Sequence, residues 1–464
     1  MLSENALTPE QNEAIDFIYQ RDRSILVAPT GEGKTVICLT AIAALVANAP
    51  KFQVLIACPP KVIPVYRKEA LKWDHLAKLR IVEMHGDALI RQQQLEDSDE
   101  ANILVVSLNS LEWALQPEFL KVQGVVIDEL SKAAGKMTAA LRHRAWEKRI
   151  WWRVGMTATP VSQDFQKLFN MTRVIAGARI FGNNADAYRN TYFYPDYNGH
   201  TWTLRDGADK QILDKVAQLV HLIANQKADK LPPLTERVVR FDMPKDTRAA
   251  YDAMAADMVL DLRADKTDDA NIGDVLEAGN QAVKSGKMRQ LASGFIYDKT
   301  DMRRFDYARQ AAFLQELDTS ADPVLVFYEF EEQKAEIRWC GDNIAFSREE
   351  FDPKEHKALA VQVKSLSHGV DGLQHVFHRV IFYQPMWSRD AQQQARDRVW
   401  RQGQRHPVDA ATLVCDATLD DVVIDRVAGR GKWMELFQAH LLARRAVRAD
   451  RPAAGIVDTI TPQC

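Results

Sequence analysis

The sequence predicts an α/β protein built as two parallel-sheet units in tandem with a helical insertion between them, and three observations carry that expectation. Short apolar runs (SILVA, FQVLIAC, ANILVVS, VQGVVID and IWWRVGM) recur from Ser24 to about residue 178, each followed by a helical or turn segment. Buried runs alternating with helix-length stretches are the pattern of a parallel sheet with crossover helices. A second alternation opens near Pro323 with PVLVFY, KALAVQV, RVIFY and VDAATLVC. Between the two, the periodicity is largely helical, interrupted by the aromatic, turn-rich YFYPDYNGHTW and by Leu231-Pro232-Pro233. The expected boundaries are 1–178 for the first unit, 179–286 for the insertion or connector, 287–448 for the second unit and 449–464 for a poorly ordered tail.

Composition bounds the function. The 464 residues are 46% hydrophobic and 27% charged, which excludes disordered and fibrous classes, and the length suits about three domains of ~150 residues. The formal net charge of -3 argues against a surface coated for nucleic acid, although local basic clusters occur at Arg142 to Arg153 and Arg426 to Arg451. Acidic residues concentrate at Glu96 to Glu100 and Asp265 to Asp274. The five cysteines are scattered, with no CxxC pair and no metal-ligand spacing, so a reducing compartment is the natural reading. No basic, apolar leader opens the chain and no apolar run reaches the ~20 residues of a membrane span. A cytoplasmic protein without membrane association is expected.

Taken in order, Thr8-Pro9-Glu10-Gln11 reads first as a capping box, with Thr8 as N-cap, Pro9 at the first helical position and Gln11 three residues on. It is also where a nucleotide-recognising glutamine could contact adenine, although spacing alone favours the cap. Ser24 to Leu39 then sets the Gly-rich turn APTGEGKT between an apolar strand and a helix. Backbone N–H groups of Gly31 to Thr35 would form a nest for a triphosphate at the positive end of the helix. Lys34 would neutralise the β- and γ-phosphates and the Thr35 hydroxyl would ligate Mg²⁺. Ala28 stands where the full GxxxxGK[ST] pattern has its first glycine, and a plain glycine turn is the alternative. VVIDE supplies the acidic pair a nucleotide hydrolase needs at a strand end: Asp128 for Mg²⁺ and Glu129 for the attacking water. Solvated carboxylates at a strand end are the bland reading of the same residues.

In the connector, Tyr192, Phe193, Tyr194, Tyr197 and Trp202 are either packing for a small subdomain or a stacking wedge. In the second unit, SLSHGVDGLQ follows a strand as a polar, Gly-rich loop, the usual place for ligands in α/β sheets. QQQARDRVWRQGQ puts Arg398 and Arg401 three apart on one helical face, where arginines can stabilise a transferring phosphoryl group. A solvated basic helix is the alternative.

As a set, these motifs resemble the superfamily 2 helicases, specifically the Swi/Snf-type DNA translocases, and most of all their compact phage and bacterial members. APTGEGKT resembles motif I, ACPPKVIPVYRKEALKWDHL motif Ia, VVIDELSK motif II and GMTATPVSQDFQKLFN motif III. KMRQLASGFIYD resembles the opening of the second lobe, PVLVFYEFEEQ motif IV, SLSHGVDGLQ motif V and QQARDRVWRQGQ motif VI. That last segment is similar to the QxxxRxxRxGQ form of this branch.

The resemblance implies two RecA-like lobes, ATP and Mg²⁺ as cofactors, and DNA as partner, duplex ahead of single-stranded, with a monomeric motor. Gln11 would contact adenine, while Thr30, Gly31, Glu32, Gly33, Lys34 and Thr35 would hold the phosphates, with Gln404 nearby. Asp128 and Glu129 would serve Mg²⁺ and water, and Arg398 and Arg401 would be arginine fingers. Thr157, Ala158 and Thr159 would couple nucleotide state to lobe movement. The DNA track would take Pro59, Lys61, His85, Gly86, Ser107 and Asn109 from the first lobe and Ser365, Ser367 and Trp387 from the second. Departures are Ser131 where motif II has histidine, Asp371 within motif V, and Trp400 where histidine is commoner. Rival readings are an ATP-gated nucleic-acid clamp with weak hydrolysis and an RNA helicase.

Overall fold

The computed structural model describes residues 1–29, 31–96, 100–115, 122–132, 149–158, 165–195, 202–223, 231–252, 254, 285–298, 301–363, 372–386 and 389–424. Two compact units emerge, one within residues 1–226 and the other within 227–429.

In the first unit, strands β1 (Arg23–Val27), β2 (Val54–Cys58), β3 (Ile81–Glu83), β4 (Ile103–Ser107), β5 (Gly124–Asp128) and β6 (Trp152–Thr157) are described first along the chain. The hairpin strands β7 (Phe193–Pro195) and β8 (Trp202–Leu204) pair antiparallel, and β9 (Val220–Leu222) returns to the main sheet. That sheet runs β3-β4-β2-β5-β6-β1-β9 with every pair parallel. Alternate residues of its strands feed two separate cores. Ile25, Val27, Leu55, Val125 and Ile127 join one face, whereas Leu26, Val54, Ile56, Val126, Val154 and Met156 join the other. A sheet buried on both faces needs the near-continuous apolar runs that the sequence shows.

Helix α1 (Pro9–Tyr19) opens on the expected capping box: Thr8 Oγ1 accepts from the Gln11 amide at 3.2 Å and Gln11 Oε1 accepts from the Thr8 amide at 2.9 Å. Helix α2 (Lys34–Asn48) buries Val36, Ile37, Cys38, Leu39, Ala41, Ile42 and Leu45, more than a single stripe, because it packs against the sheet, α1 and α3 (Ile63–Ala70).

The second unit holds β10 (Leu234–Phe241), the antiparallel pair β11 (Phe295–Asp298) and β12 (Asp301–Arg304), then β13 (Val324–Tyr328), β14 (Ile344–Ala345), β15 (Ala358–Gln362), β16 (Arg379–Phe382) and β17 (Val408–Cys415). Its main sheet runs β10-β17-β16-β13-β15-β14, again parallel throughout. The fold is thus two parallel α/β units in tandem. One fully enclosed ion pair braces the second: Arg309 and Asp420 are 1% and 0% exposed. The same guanidinium donates to the carbonyls of Ala292, Tyr383 and Leu413 at 2.9 to 3.0 Å. A buried charge needs this many partners to offset its lost hydration.

The described residues of 179–286, expected as a helical insertion, include strands as well as helices. Strand β9 completes the edge of the first sheet, and β10 pairs with β17 over all eight residues as the edge of the second. A three-residue strand is too short to register as a period, and LTERVVRF mixes Glu236, Arg237 and Arg240 with apolar residues because at the sheet edge none of its residues is fully buried. Among the described residues, no helix is long and apolar enough to cross a membrane.

Candidate nucleotide site

The carboxyl ends of β5, β6 and β1 lie side by side, because β6 is hydrogen-bonded between the other two. Val27 pairs with Thr157 and Asp128 with Met156, so the Gly-rich loop after β1, the acidic pair ending β5 and the Thr157-Ala158 segment ending β6 converge at the carboxyl end of the sheet. Ligands of open α/β sheets bind at this end of the strands.

The loop's geometry follows from its glycines. Gly33, at φ +84, sits in the left-handed region just before α2, and a Cβ there would lie 2.5 Å from Gln11 Nε2. Glycine therefore satisfies both the backbone and the close approach of Gln11. The first amides of α2 have no intrahelical acceptor and face the loop, the arrangement that suits an anion. Gln11 also donates from Nε2 to the Glu32 carbonyl at 3.1 Å, so one side chain caps α1 and braces the loop. It keeps one N–H for a base. The Lys34 ammonium donates to the carbonyls of Ala28 at 2.8 Å and Pro29 at 3.0 Å. Burial holds its pKa below the ordinary lysine value, opposed by the nearby charges of Asp128, Glu129 and Glu32.

Asp128 is 8% exposed. Its Oδ1 accepts from the Glu129 amide at 3.0 Å and its Oδ2 from the Tyr66 hydroxyl at 2.9 Å. Burial, and then the charge of Glu129, push its pKa above the usual carboxylate value, while Tyr66, Lys34 and the Glu129 amide pull it down. Glu129 has φ 60, one of two non-glycine residues with positive φ among those described. Such strain costs ~1 to 3 kcal/mol and persists where neighbours hold it. Here Leu130, fully buried, packs over Gly155 of β6, where a Cβ would lie 2.5 Å from Leu130 Cδ2. The bend that turns Glu129 away from the sheet is anchored by that contact.

The donor set suits a hard cation. Asp128 and Thr35 offer oxygen, and no cluster of three His, Cys, Asp or Glu exists among the described residues. A site with one or two protein oxygens completed by phosphate and water is the Mg²⁺ pattern. Sequence reasoning missed Tyr66, which is 0% exposed on α3. Its only signal is that a tyrosine at a buried helical position needs a partner for its hydroxyl.

The expected DNA residues of this unit also gather. Pro59 and Lys61 follow β2, His85 and Gly86 follow β3, and Ser107 and Asn109 end or follow β4, and these strands are neighbours in the sheet. Lys61, His85, Gly86 and Asn109 are exposed. Ser107 Oγ bonds Ser110 Oγ at 2.8 Å. Of the aromatics in the 192–202 stretch, Tyr192 and Phe193 pack with Tyr188 in the core, whereas Tyr194 is exposed with the Arg205 guanidinium 4.3 Å from its ring centroid.

In the second unit the helix Arg389–Arg396 ends before the two candidate arginines. Arg398 and Arg401 sit in the turns that follow, rather than on one helical face, because backbone bonds there tighten to short-range turns such as Arg398 N to Ala395 O at 3.2 Å. Gln404 differs from expectation more sharply. It is buried, its Nε2 donates to the carbonyls of Phe377 at 2.8 Å and Val399 at 3.3 Å, and its Oε1 accepts from the amides of Arg405 and His406 at 2.8 and 2.9 Å. A primary amide offers four such positions, so none is left for ATP. Trp400 donates from Nε1 to the Pro232 carbonyl at 2.9 Å, tying this loop to the lead of β10. Thr30, Thr159, Ser365, Ser367, Trp387, Tyr197 and Asp371 lie outside the described residues.

The family model for the SNF2-related domain matches residues 10–291. The chain is 25% identical over 449 residues to putative protein p41 of Acyrthosiphon pisum secondary endosymbiont phage 1, covering 90% of this chain and 95% of that protein. It is 28% identical over 208 residues to the human DNA repair and recombination protein RAD54B, covering 41% of this chain and 22% of that much longer relative. Among solved structures it is similar to the Sulfolobus solfataricus SWI2/SNF2 ATPase core in complex with dsDNA, with 18% identity, a TM-score of 0.44 and coverage of 95% and 96% of the two chains.

Proposed function

The chain belongs to the SNF2-related domain family, and from that premise we propose that it is a DNA-stimulated ATP hydrolase that moves along duplex DNA, in recombination or repair. The observation that carries the reading is the convergence at the carboxyl end of the sheet of a glycine-formed loop suited to an anion, an ammonium within the electrostatic reach of Asp128 and Glu129, and a carboxylate fixed from both sides. In this reading Gly31, Glu32, Gly33 and the amides opening α2 hold the phosphates, and Gln11 reaches the adenine. Lys34 moves from the Ala28 and Pro29 carbonyls to the β- and γ-phosphates. Asp128 and Thr35 hold Mg²⁺, which when bound would offset phosphate charge. Glu129, turned out of the strand by its left-handed backbone, orients the attacking water and accepts its proton. Arg398 and Arg401 stabilise charge developing on the transferred phosphoryl group, a role worth ~10³ to 10⁵ in rate for arginine fingers. Thr157 and Ala158, beside the phosphate loop, report nucleotide state to the rest of the protein.

The DNA side of the proposal rests on Pro59, Lys61, His85, Gly86, Ser107 and Asn109, whose small polar groups and backbone amides suit phosphate oxygens and read no sequence. Steady-state ATP turnover, measured alone and with duplex DNA, single-stranded DNA or RNA, tests it. We expect stimulation greatest with duplex DNA, and loss of at least ~10²-fold in turnover for Lys34→Ala and Glu129→Gln with unchanged melting cooperativity. Turnover indifferent to both changes would overturn the assignment, and equal stimulation by RNA would overturn its DNA preference.

A further inference from the structure

We infer that Tyr66 is a positioning residue for the cation site, acting through Asp128. The phenol is fully enclosed among apolar neighbours of α2, α3 and the sheet, and its hydroxyl makes one hydrogen bond among the described residues, to Asp128 Oδ2 at 2.9 Å. The other carboxylate oxygen is held by the Glu129 amide at 3.0 Å. Two donors on two different oxygens fix the plane of the carboxylate. Each oxygen keeps a lone pair directed away from these donors, available to a cation or its bound water. A hydroxyl in an apolar enclosure with a single acceptor has no other conformation in which it is satisfied, so the bond holds the rotamer of both partners. Outer partners of this kind orient metal ligands, and their removal typically costs ~10- to 100-fold in metal affinity.

A positioning role accounts for a polar aromatic at a helix position that burial alone would fill with Phe or Leu. It is anchored on α3, directly after the Pro60–Val62 turn. The carboxylate therefore takes its orientation from an element other than its own strand. This inference rests on the proposed reading, in which Asp128 serves Mg²⁺.

Mn²⁺ titrated into the full chain with ADP, with free Mn²⁺ read by electron paramagnetic resonance, tests it without turnover. The wild type should show one ADP-dependent Mn²⁺ site. Tyr66→Phe should weaken that site by roughly ten-fold or more, while ADP affinity in EDTA stays within about two-fold because the phosphate loop is untouched. Replacing Tyr66 with 4-aminophenylalanine, which keeps a donor at the same place, should restore the affinity, whereas 4-methylphenylalanine, of the same size without a donor, should not. That pair decides the matter if Tyr66→Phe fails to fold. Absence of an ADP-dependent Mn²⁺ site in the wild type would refute the proposed function. A wild-type site whose affinity is the same in Tyr66→Phe or 4-methylphenylalanine protein would overturn the positioning role alone.

Discussion

Asp128 keeps a carboxylate in a nearly closed environment, and that placement costs the ligand-free protein stability. Burial, and then Glu129, raise its folded pKa above the ordinary carboxylate value of 3.8. The folded state therefore binds this proton more readily than the unfolded chain does. Stability falls as pH rises through the interval between 3.8 and the raised folded value, and stays lowered above it. Asp128→Asn keeps an oxygen to accept from the Glu129 amide and turns an NH2 donor toward the Tyr66 oxygen, while removing the charge. It should raise the melting temperature of the ligand-free protein at pH 7 by a few degrees, on the order of 1 kcal/mol, while abolishing Mg²⁺-dependent turnover. The gain should shrink as the pH falls and the wild-type carboxyl takes up its proton. Melting curves of both proteins from pH 4 to 8 check the sign, and a destabilised variant at pH 7 would contradict it. Asp128, Lys34 and the glycines were readable from the sequence because each is fixed by chemistry at a set distance along the chain. Tyr66 was not, because the hydroxyl's partner lies 62 residues away and only the fold brings them together.

Elements differed in legibility for the same reason. Runs such as VLIAC and VVID were plain because both faces of those strands are buried, whereas β10 exposes one face and carries Glu236, Arg237 and Arg240 within its length. Arg237 makes ion pairs with Glu316 and Asp409, and Arg240 with Asp416 and Asp421, so the charges that obscured the strand help hold it at the sheet edge. Past the helix Arg389–Arg396, helical spacing stopped being a guide because the chain breaks into turns around Gln404. Gln404 closes that segment by bonding the carbonyls of Phe377 and Val399 and the amides of Arg405 and His406. Gln404→Ala removes hydrogen bonds from the buried carbonyls of Phe377 and Val399 and from the part-buried amides of Arg405 and His406, and should cost about 2 kcal/mol. Nucleotide affinity should stay within about two-fold, since the amide has no free position for ATP. Chemical denaturation beside a fluorescent-nucleotide titration separates the two, and a large loss of affinity without a loss of stability would restore Gln404 to the nucleotide site.

At the scale of the whole molecule, a net charge of -3 has to be reconciled with a DNA partner. Within the first unit, the sheet order separates two tasks: the β5-β6-β1 half carries the phosphate loop and acidic pair, and the β3-β4-β2 half carries the segments proposed for DNA. That second set contains one lysine, Lys61, among Pro59, His85, Gly86, Ser107 and Asn109, so phosphate contact there would come largely from amides and hydroxyls. A motor that must release each phosphate to reach the next gains nothing from a dense basic stripe, which would tighten every position equally. Binding on the proposed track should then be modest and sequence-tolerant, yet still governed by counterion release. If about three phosphates are neutralised across the chain, log affinity should fall with log salt at a slope near -2.7, or about 40-fold between 50 and 200 mM. Lys61→Ala should lower the slope by close to one phosphate, about 0.9, on random-sequence and single-sequence duplexes alike. Anisotropy titrations over that salt range measure both quantities, and an affinity that ignores ionic strength would remove the phosphate track from the proposal while leaving the ATP site standing.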